Sequence, residues 1–328
     1  MMDPTHDHAQ LEFVAEFLRS EAAPIASRAT RELITLHPDI ARRWGAVGGE
    51  ATLAWTEALQ TRAYDLAAAV STGRPEIFRL QLAWAAQAFR ARGLPVDDLT
   101  RSLGALRESV LDALPEADHA VVEPFFEQGV SALTAPPSEP PTQVSTATPQ
   151  GRRTAEYLVA ILDGDRRRAC ELVLSPIREG ELSPQEVHAQ VLCPALREMG
   201  RMWHLGEVNV AEEHFATATT LMALSQILTL WSRRPSNGRT LLAASVAGNL
   251  HEVGVRMVAD TFEAEGWRTI YLGPNVPAPD LAIAAADYRA DLACLSVMLP
   301  SQLTSLRDSS RALRGASPDL RIIAGGPG

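Results

Sequence analysis

The sequence predicts an all-α N-terminal domain, a linker, a second helical segment and a doubly wound parallel α/β sheet. Three observations predict it. Apolar residues recur at spacings of three and four over roughly the first 130 residues. A stretch rich in Pro, Ser and Thr, Ala135 to Gln150, carries no core pattern. Beyond Asn237, short apolar runs alternate with amphipathic stretches of helical length.

Each element follows in order. In residues 1–134 the runs LEFVAEFL, ITLHPDIARRW, AWTEALQTRAYDLAAAV, IFRLQLAWAAQAF, LTRSLGALRESVLDAL and AVVEPFFEQGVSAL are separated by Pro38, Gly73, Pro75, Gly93 and Pro115. Six or seven short helices in that length suggest a globin-like or bundle-like domain. Residues 135–150 read as a flexible boundary, because proline denies helix hydrogen bonds and the polar residues have nothing to bury. Residues 151–235 are helical again, in about four segments. Residues 236–328 carry four buried strands: TLLAASVAG (240–248), RTIYLG (268–273), ADLACLSVML (290–299) and LRIIAGG (320–326). Helices are expected between them, over His251–Glu265, Pro279–Tyr288 and Gln302–Gly315. A fifth strand and helix are expected beyond Gly328.

Composition narrows the function. A chain of 328 residues suggests about two domains. Thirty basic and forty acidic residues leave a net charge of −10. That argues against a nucleic-acid-binding body, which needs a basic face for phosphates. Every basic residue is arginine, which removes Schiff-base and phosphate-loop lysine chemistry. Cys170, Cys193 and Cys294 have no CxxC spacing and read as free thiols in a reducing cytoplasm. The polar start from Met1 to Gln10 is not a secretory signal, and no run is long enough to cross a membrane.

The chemistry concentrates where the first strand meets its helix, at Asn249-Leu250-His251-Glu252-Val253-Gly254. Open parallel sheets bind ligands at the carboxyl ends of their strands. His251 there reads either as a metal ligand or as a histidine capping a βα loop. Ser296-Val297-Met298 ends the third strand and Gly325-Gly326 the fourth, so small residues leave a slot along one edge. The loop GNLHEVG lacks the GxGxxG of a nicotinamide site.

A second cluster lies in the helical segment: Trp203, His204, Gly206, Asn209, Glu212, Glu213 and His214. On one straight helix Trp203 and Glu213 would lie about 15 Å apart. Gly206 is a C-terminal stop, and Asn209 with Glu212 is a capping-box start. The resulting turn folds Trp203-His204 back towards Glu213-His214. The reading is a small cavity or an ordinary helix corner. Zinc has little support, since Cys193 has no paired ligand.

His-x-x-Gly, Ser-x-Met and Gly-Gly on a flavodoxin-like (Rossmann-type) sheet resemble the cobalamin-binding domain of methionine synthase and its relatives. The spacing Trp-x9-Glu-His resembles the light-sensing adenosylcobalamin regulators of the CarH type. The resemblance covers roughly residues 152–328. It implies a four-helix-bundle cap over an α/β domain that holds adenosylcobalamin. It makes His251 the lower axial ligand of cobalt, with Asn249 where the family usually has Asp. Gly254, Ser296, Met298, Gly325 and Gly326 would line the slot for the dimethylbenzimidazole tail. Trp203, Glu213 and His214 would face the adenosyl group, and His204 would bind cobalt after light breaks the Co–C bond.

Residues 1–134 show no winged-helix pattern and no basic recognition stripe. A globin-like domain ahead of a cobalamin photosensor resembles the photocobilins, which implies biliverdin as a second chromophore. Arg42, Arg43, Arg79 and Arg90 could hold its propionates, Trp44, Trp55 and Trp84 could stack on it, and His37 could meet a pyrrole. Residues 1–134 contain no cysteine, so any bilin there is expected without a thioether link from that domain. Haem on His37 is the alternative, made awkward by Pro38. The expected protein is a sensor rather than an enzyme, with light-dependent self-association and an output domain or protein partner, and without direct contact with nucleic acid or membrane. The rival readings are a corrinoid carrier of a methyltransferase and a cobalamin-responsive regulator without light function.

Overall fold

The computed structural model describes residues 8–45, 51–135 and 140–326. They fall in two compact units, Met1–Glu139 and Pro140–Gly328. In the first, seven α-helices are described: α1 (His8–Ser20), α2 (Ala22–Leu36), α3 (Pro38–Gly45), α4 (Ala51–Thr72), α5 (Pro75–Ala91), α6 (Val96–Ala113) and α7 (His119–Thr134). Pro75 opens α5, where a missing N–H costs nothing. Gly93, at φ 67°, closes it by letting Leu94 N–H reach Phe89 O at 2.8 Å. α2 packs on α4 and α6, α1 on α4, and α5 on α7. Leu18, Ile25, Leu66, Phe78, Leu106 and Phe125 form the centre of one apolar core.

The second unit begins with four helical segments: α8 (Pro149–Leu162), α9 (Arg166–Arg178), α10 (Pro184–Val187) running through a π-turn (His188–Leu192) into α11 (Cys193–His204), and α12 (Val210–Leu230). Side chains cap the entries. Thr148 accepts from Gly151 N–H, Asp165 from Arg168 N–H, and Ser183 with Glu186 forms a reciprocal box.

The expected flexible linker is corrected in part. Residues 136–139 lie outside the described residues, but the stretch after them is docked. Gln143 N–H donates to Glu198 at 2.7 Å, and Val144 packs against the helical core. A buried carboxylate needs donors, and a linker N–H supplies one. Glu198 also accepts from Arg201 at 2.9 Å, and Arg201 forks onto Glu207 at 3.0 and 2.8 Å.

The sheet follows as β1 (Thr240–Val246), α13 (Val253–Ala264), β2 (Arg268–Val276), α14 (Ala278–Asp287), β3 (Leu292–Ser296), α15 (Leu303–Ala316) and β4 (Arg321–Gly325). All pairings are parallel, in the order β2-β1-β3-β4. β1 is buried along its whole length, as a strand covered on both faces must be. Val255 and Ala259 of α13 share a core with Leu241 and Ala243, while Leu281 of α14 and Leu313 of α15 share one with Leu242 and Ala244. Val253 and Met257 of α13 also enter the helical core beside Tyr157, Leu192 and Ile227, joining bundle and sheet into one unit. Among the described residues no helix is long and apolar enough to cross a membrane.

His188, in the π-turn, is 5% exposed, and neither ring nitrogen has a partner. The imidazole packs edge-on against Trp231 at 5.2 Å. Burial disfavours its charged form and pushes its pKa down from 6.5 to about 4. The unfolded chain therefore binds a proton between those values that the folded chain refuses, so stability falls as pH falls through that window. Burial pushes Asp65 and Asp260 up to about 6, which acts with the opposite sign. The readout is thus a difference between variants. Relative to His188→Leu, the wild type should lose roughly 3 kcal/mol between pH 7 and pH 4 in chemical denaturation. Parallel pH profiles for the two proteins would show that His188 does not titrate this way.

Candidate functional site

β1 connects to β2 on one side, and the chain then crosses to β3 on the other. The carboxyl ends of β1 and β3 therefore flank the switch point where such sheets leave a crevice. The loop Ala247–Glu252 leaves β1 here. Gly248 adopts φ 81°, which suits only glycine, and a Cβ on it would meet nothing within 4 Å.

Asn249 is fully buried. Its amide Nδ2 donates to Ser296 O at 3.0 Å, and its Oδ1 accepts from His251 N–H at 3.1 Å. The same Oδ1 lies 3.2 Å from His251 Nδ1. A carboxamide oxygen only accepts, so Nδ1 carries the proton and the lone pair sits on Nε2. The residue itself is exposed. Ser245 Oγ donates to His251 O at 2.9 Å, holding the backbone beneath the ring. An Asp in place of Asn249 would set a carboxylate oxygen against the Ser296 carbonyl, whereas the Asn amide bonds to it.

β3 and β4 complete the edge. Ser296 pairs in register with Ser245 on one side and Gly325 on the other. Val297 N–H donates to Gly325 O at 3.0 Å, and Gly326, at φ 127°, lies so close to Val297 that a Cβ would overlap its carbonyl. A Cβ on Gly254 or Gly325 would meet nothing. Asn249, His251, Ser296 and Gly325 are therefore brought together, with Gly254 in the first turn of α13 and Met298 in the loop after β3.

Sequence reasoning missed several residues of this edge. Gln302, Asn275, Ser245 and the Glu252–Tyr271 pair all brace the His251 loop. The Tyr271 hydroxyl donates to Glu252 at 2.6 Å. Only Gln302 left a sequence signal: Pro300 opens a turn, and a Gln two residues later can reach back to a leading N–H.

The turn between the bundle helices forms as expected. Gly206 has φ 69°, Gly206 N–H reaches Trp203 O at 3.1 Å, and Glu207 N–H reaches Met202 O at 2.8 Å. Asn209 caps α12, accepting from Ala211 N–H at 2.8 Å and Glu212 N–H at 3.1 Å, while Glu212 accepts from Asn209 N–H at 2.7 Å. Trp203 is half-buried against the helical core, and His204 is 5% exposed, not a surface residue of the helix end. Glu213 is half-buried; it accepts from Thr217 at 2.9 Å and lies 2.7 Å from Nδ1 of the exposed His214. No group of three or more His, Cys, Asp or Glu side chains able to hold a metal occurs among the described residues.

In the first unit Trp44, Trp55 and Phe89 cluster, with ring centroids 5.0 to 6.4 Å apart. They line a cavity of about 90 Å³ with Arg62, Leu82, Leu99 and Leu103. Trp55 is buried, whereas Trp84 is 45% exposed and does not line that cavity. Arg43 grips Asp98 through Nε at 3.1 Å and Nη2 at 2.8 Å, and Arg90 donates to Leu133 O and Ala135 O. Two of the four expected propionate-binding arginines are thus engaged by protein acceptors. His37 ends α2.

Comparison with known proteins places these features. The B12 binding domain family matches residues 239–328, and a second B12 binding domain family matches residues 154–228. The HTH-type transcriptional repressor CarA of Myxococcus xanthus is 30% identical over 226 residues, which is 65% of this chain and 71% of that protein. The repressor CarH of the same organism is 30% identical over 44% of this chain and 48% of its own length. Dimethylamine corrinoid protein 1 of Methanosarcina acetivorans is 24% identical over 45% of this chain and 71% of that protein. The chain belongs to the B12-binding family that includes the CarA and CarH repressors, and it carries a CarH-like cobalamin-binding module.

Proposed function

We propose that this protein is a light sensor that holds adenosylcobalamin between its helix bundle and its sheet, with biliverdin as a second chromophore in the globin-like first unit. The observation that carries the reading is the pinned His251 imidazole, its acceptor nitrogen Nε2 set by Asn249 at the β1–β3 switch point. A neutral imidazole with a fixed tautomer suits cobalt. The open space at Gly248, Gly254 and Gly325 suits a bulky cofactor laid across the edge.

Adenosylcobalamin, when bound, supplies a cobalt–carbon bond that light breaks. The chain's own residues do the rest. His251 would hold cobalt, and Asn249 would fix the ring. Trp203, Glu213 and His214, from α11 and α12, would meet the adenosyl group. His204, buried at the end of α11, would be the lit-state ligand, with His214 in reserve. The output would be changed self-association or contact with a partner, since an acidic chain is a poor DNA reader.

The Trp203-x9-Glu213-His214 arrangement favours this reading over a methyl-carrying corrinoid protein, the class that the similarity to the dimethylamine corrinoid protein keeps in view. Illuminating the cobalamin-loaded chain separates them, since a carrier has no functional light switch. For the first unit, the support is the aromatic cavity of Trp44, Trp55 and Phe89, with Arg62 at its wall.

Three outcomes are expected. His251→Ala should leave a base-off spectrum and weaken cobalamin binding by more than Asn249→Ala, for which a loss of roughly 10–100-fold is expected. Unaltered spectrum and affinity would remove His251 as the ligand. Trp203→Ala should change the photolysis yield of the loaded chain, because it opens a hole where the indole packs. Identical photolysis would make Trp203 a packing residue only. The full chain expressed with biliverdin should show a far-red band that is lost on denaturation, unless a cysteine of the second unit has captured the pigment. Absence of any red-absorbing complex would leave the first unit as a dimerisation or docking bundle.

A further inference from the structure

Gln302 belongs to none of the motifs above, yet it is 6% exposed and every polar atom of its side chain has a partner in the loops of the switch point. Its Oε1 accepts from Met298 N–H at 2.9 Å and from Leu299 N–H at 3.0 Å. Its Nε2 donates to Gly248 O at 3.0 Å. One planar amide therefore ties the loop after β3 to the loop after β1. From the other side Gly248 N–H donates to Asn275 Oδ1 at 2.7 Å, and Asn275 N–H donates to Asn249 O at 3.0 Å. Both polar backbone groups of Gly248 are thus held by side chains, one from β2 and one from the loop after β3. Beside it the space that a Cβ would take is open.

We propose that Gln302 is a specificity-determining residue. By clasping the two loops it sets the crevice between them and selects corrinoids that carry a nucleotide tail over those that lack one. The inference rests on the cobalamin reading above. Its physical basis is shape. Neighbouring strands lie only about 5 Å apart, so the broad corrin disc cannot enter between two strand ends. The flat, slender base of the tail can. A crevice already held at its working width does not have to be ordered when the tail arrives. Without the clasp, Gly248 O loses its side-chain donor, Met298 and Leu299 lose their acceptor, and binding must organise both loops. Although Gln302 braces the same loop at Gly248, His251 itself is held separately, its ring and N–H by Asn249 and its carbonyl by Ser245, so a tailless corrinoid held through His251 does not read that width.

The test uses the full chain with two probes, aquacobalamin and diaquacobinamide, which share the corrin and differ in the tail. Gln302→Met keeps the length and removes all three hydrogen bonds. Gln302→Glu keeps the acceptor for Met298 and Leu299 but cannot donate to Gly248. Dissociation constants are measured by absorbance titration, and the thermal midpoint of the unliganded chain reports folding. In both variants cobalamin affinity should fall roughly 10–100-fold while cobinamide affinity stays at the wild-type value. His251→Ala, by contrast, should weaken both probes. Equal losses for the two probes in the Gln302 variants would make the residue a general scaffold and overturn the proposal, as would no loss at all. If Gln302→Met lowers the thermal midpoint, Gln302→Glu decides. Should the wild type bind neither probe, the cobalamin reading itself fails and takes this one with it.

Discussion

One buried carboxamide organises the edge of the sheet. Asn249 is sealed from solvent, and its two ends do different things: nitrogen binds the β3 backbone and oxygen binds both the backbone and the ring of His251. An unpaired buried amide would cost on the order of 1–3 kcal/mol, so the side chain is committed to this orientation. Everything exposed at the site inherits its position from that commitment. Ser245 beneath, Asn275 and Gln302 on either side and the Glu252–Tyr271 pair beyond are braces around it. The acceptor nitrogen Nε2 of His251 is thereby set by a neutral partner. A carboxylate at position 249 would bring a charge to the ring; an amide orients it without one.

The helical half of the module is built on a different device. Two helices that would run on as one are separated by five residues, stopped by a left-handed glycine and restarted by an asparagine cap. Both signals are local. They place Trp203-His204 at one helix end and Glu213-His214 near the start of the next. The burial of His204 beside the exposure of His214 shows that neighbouring histidines around one turn have different access to solvent.

Much of this was legible in the sequence, for physical reasons that differ by residue. The strands around Leu241, Ile270, Leu295 and Ile322 announce themselves as apolar runs of strand length. Gly206 and Asn209 are readable because caps act within a turn of their own position. His251 is readable because the end of a parallel strand is a predictable place. Gln302 is readable only as a turn residue after Pro300, because what distinguishes it is the pairing of one amide with two loops from different parts of the chain. Asn249 was legible as a member of the motif, but its buried bond to Ser296 depends on strand order. Composition misled at the linker: its prolines argue for freedom, while Glu198, far along the chain, needs a donor and takes one there. The tryptophans of the first unit were grouped by type, and folding divided them, with Trp44 and Trp55 sharing a cavity and Trp84 facing solvent.

That docked linker has a mechanical consequence. Gln143 is anchored to Glu198, and Glu198 to Arg201, on the same helix that ends in Trp203 and His204. The chain entering the cobalamin module is therefore fastened within two helical turns of the indole, not left as a slack tether. Rotation of α11 about its axis would be felt at residue 143 through that bond.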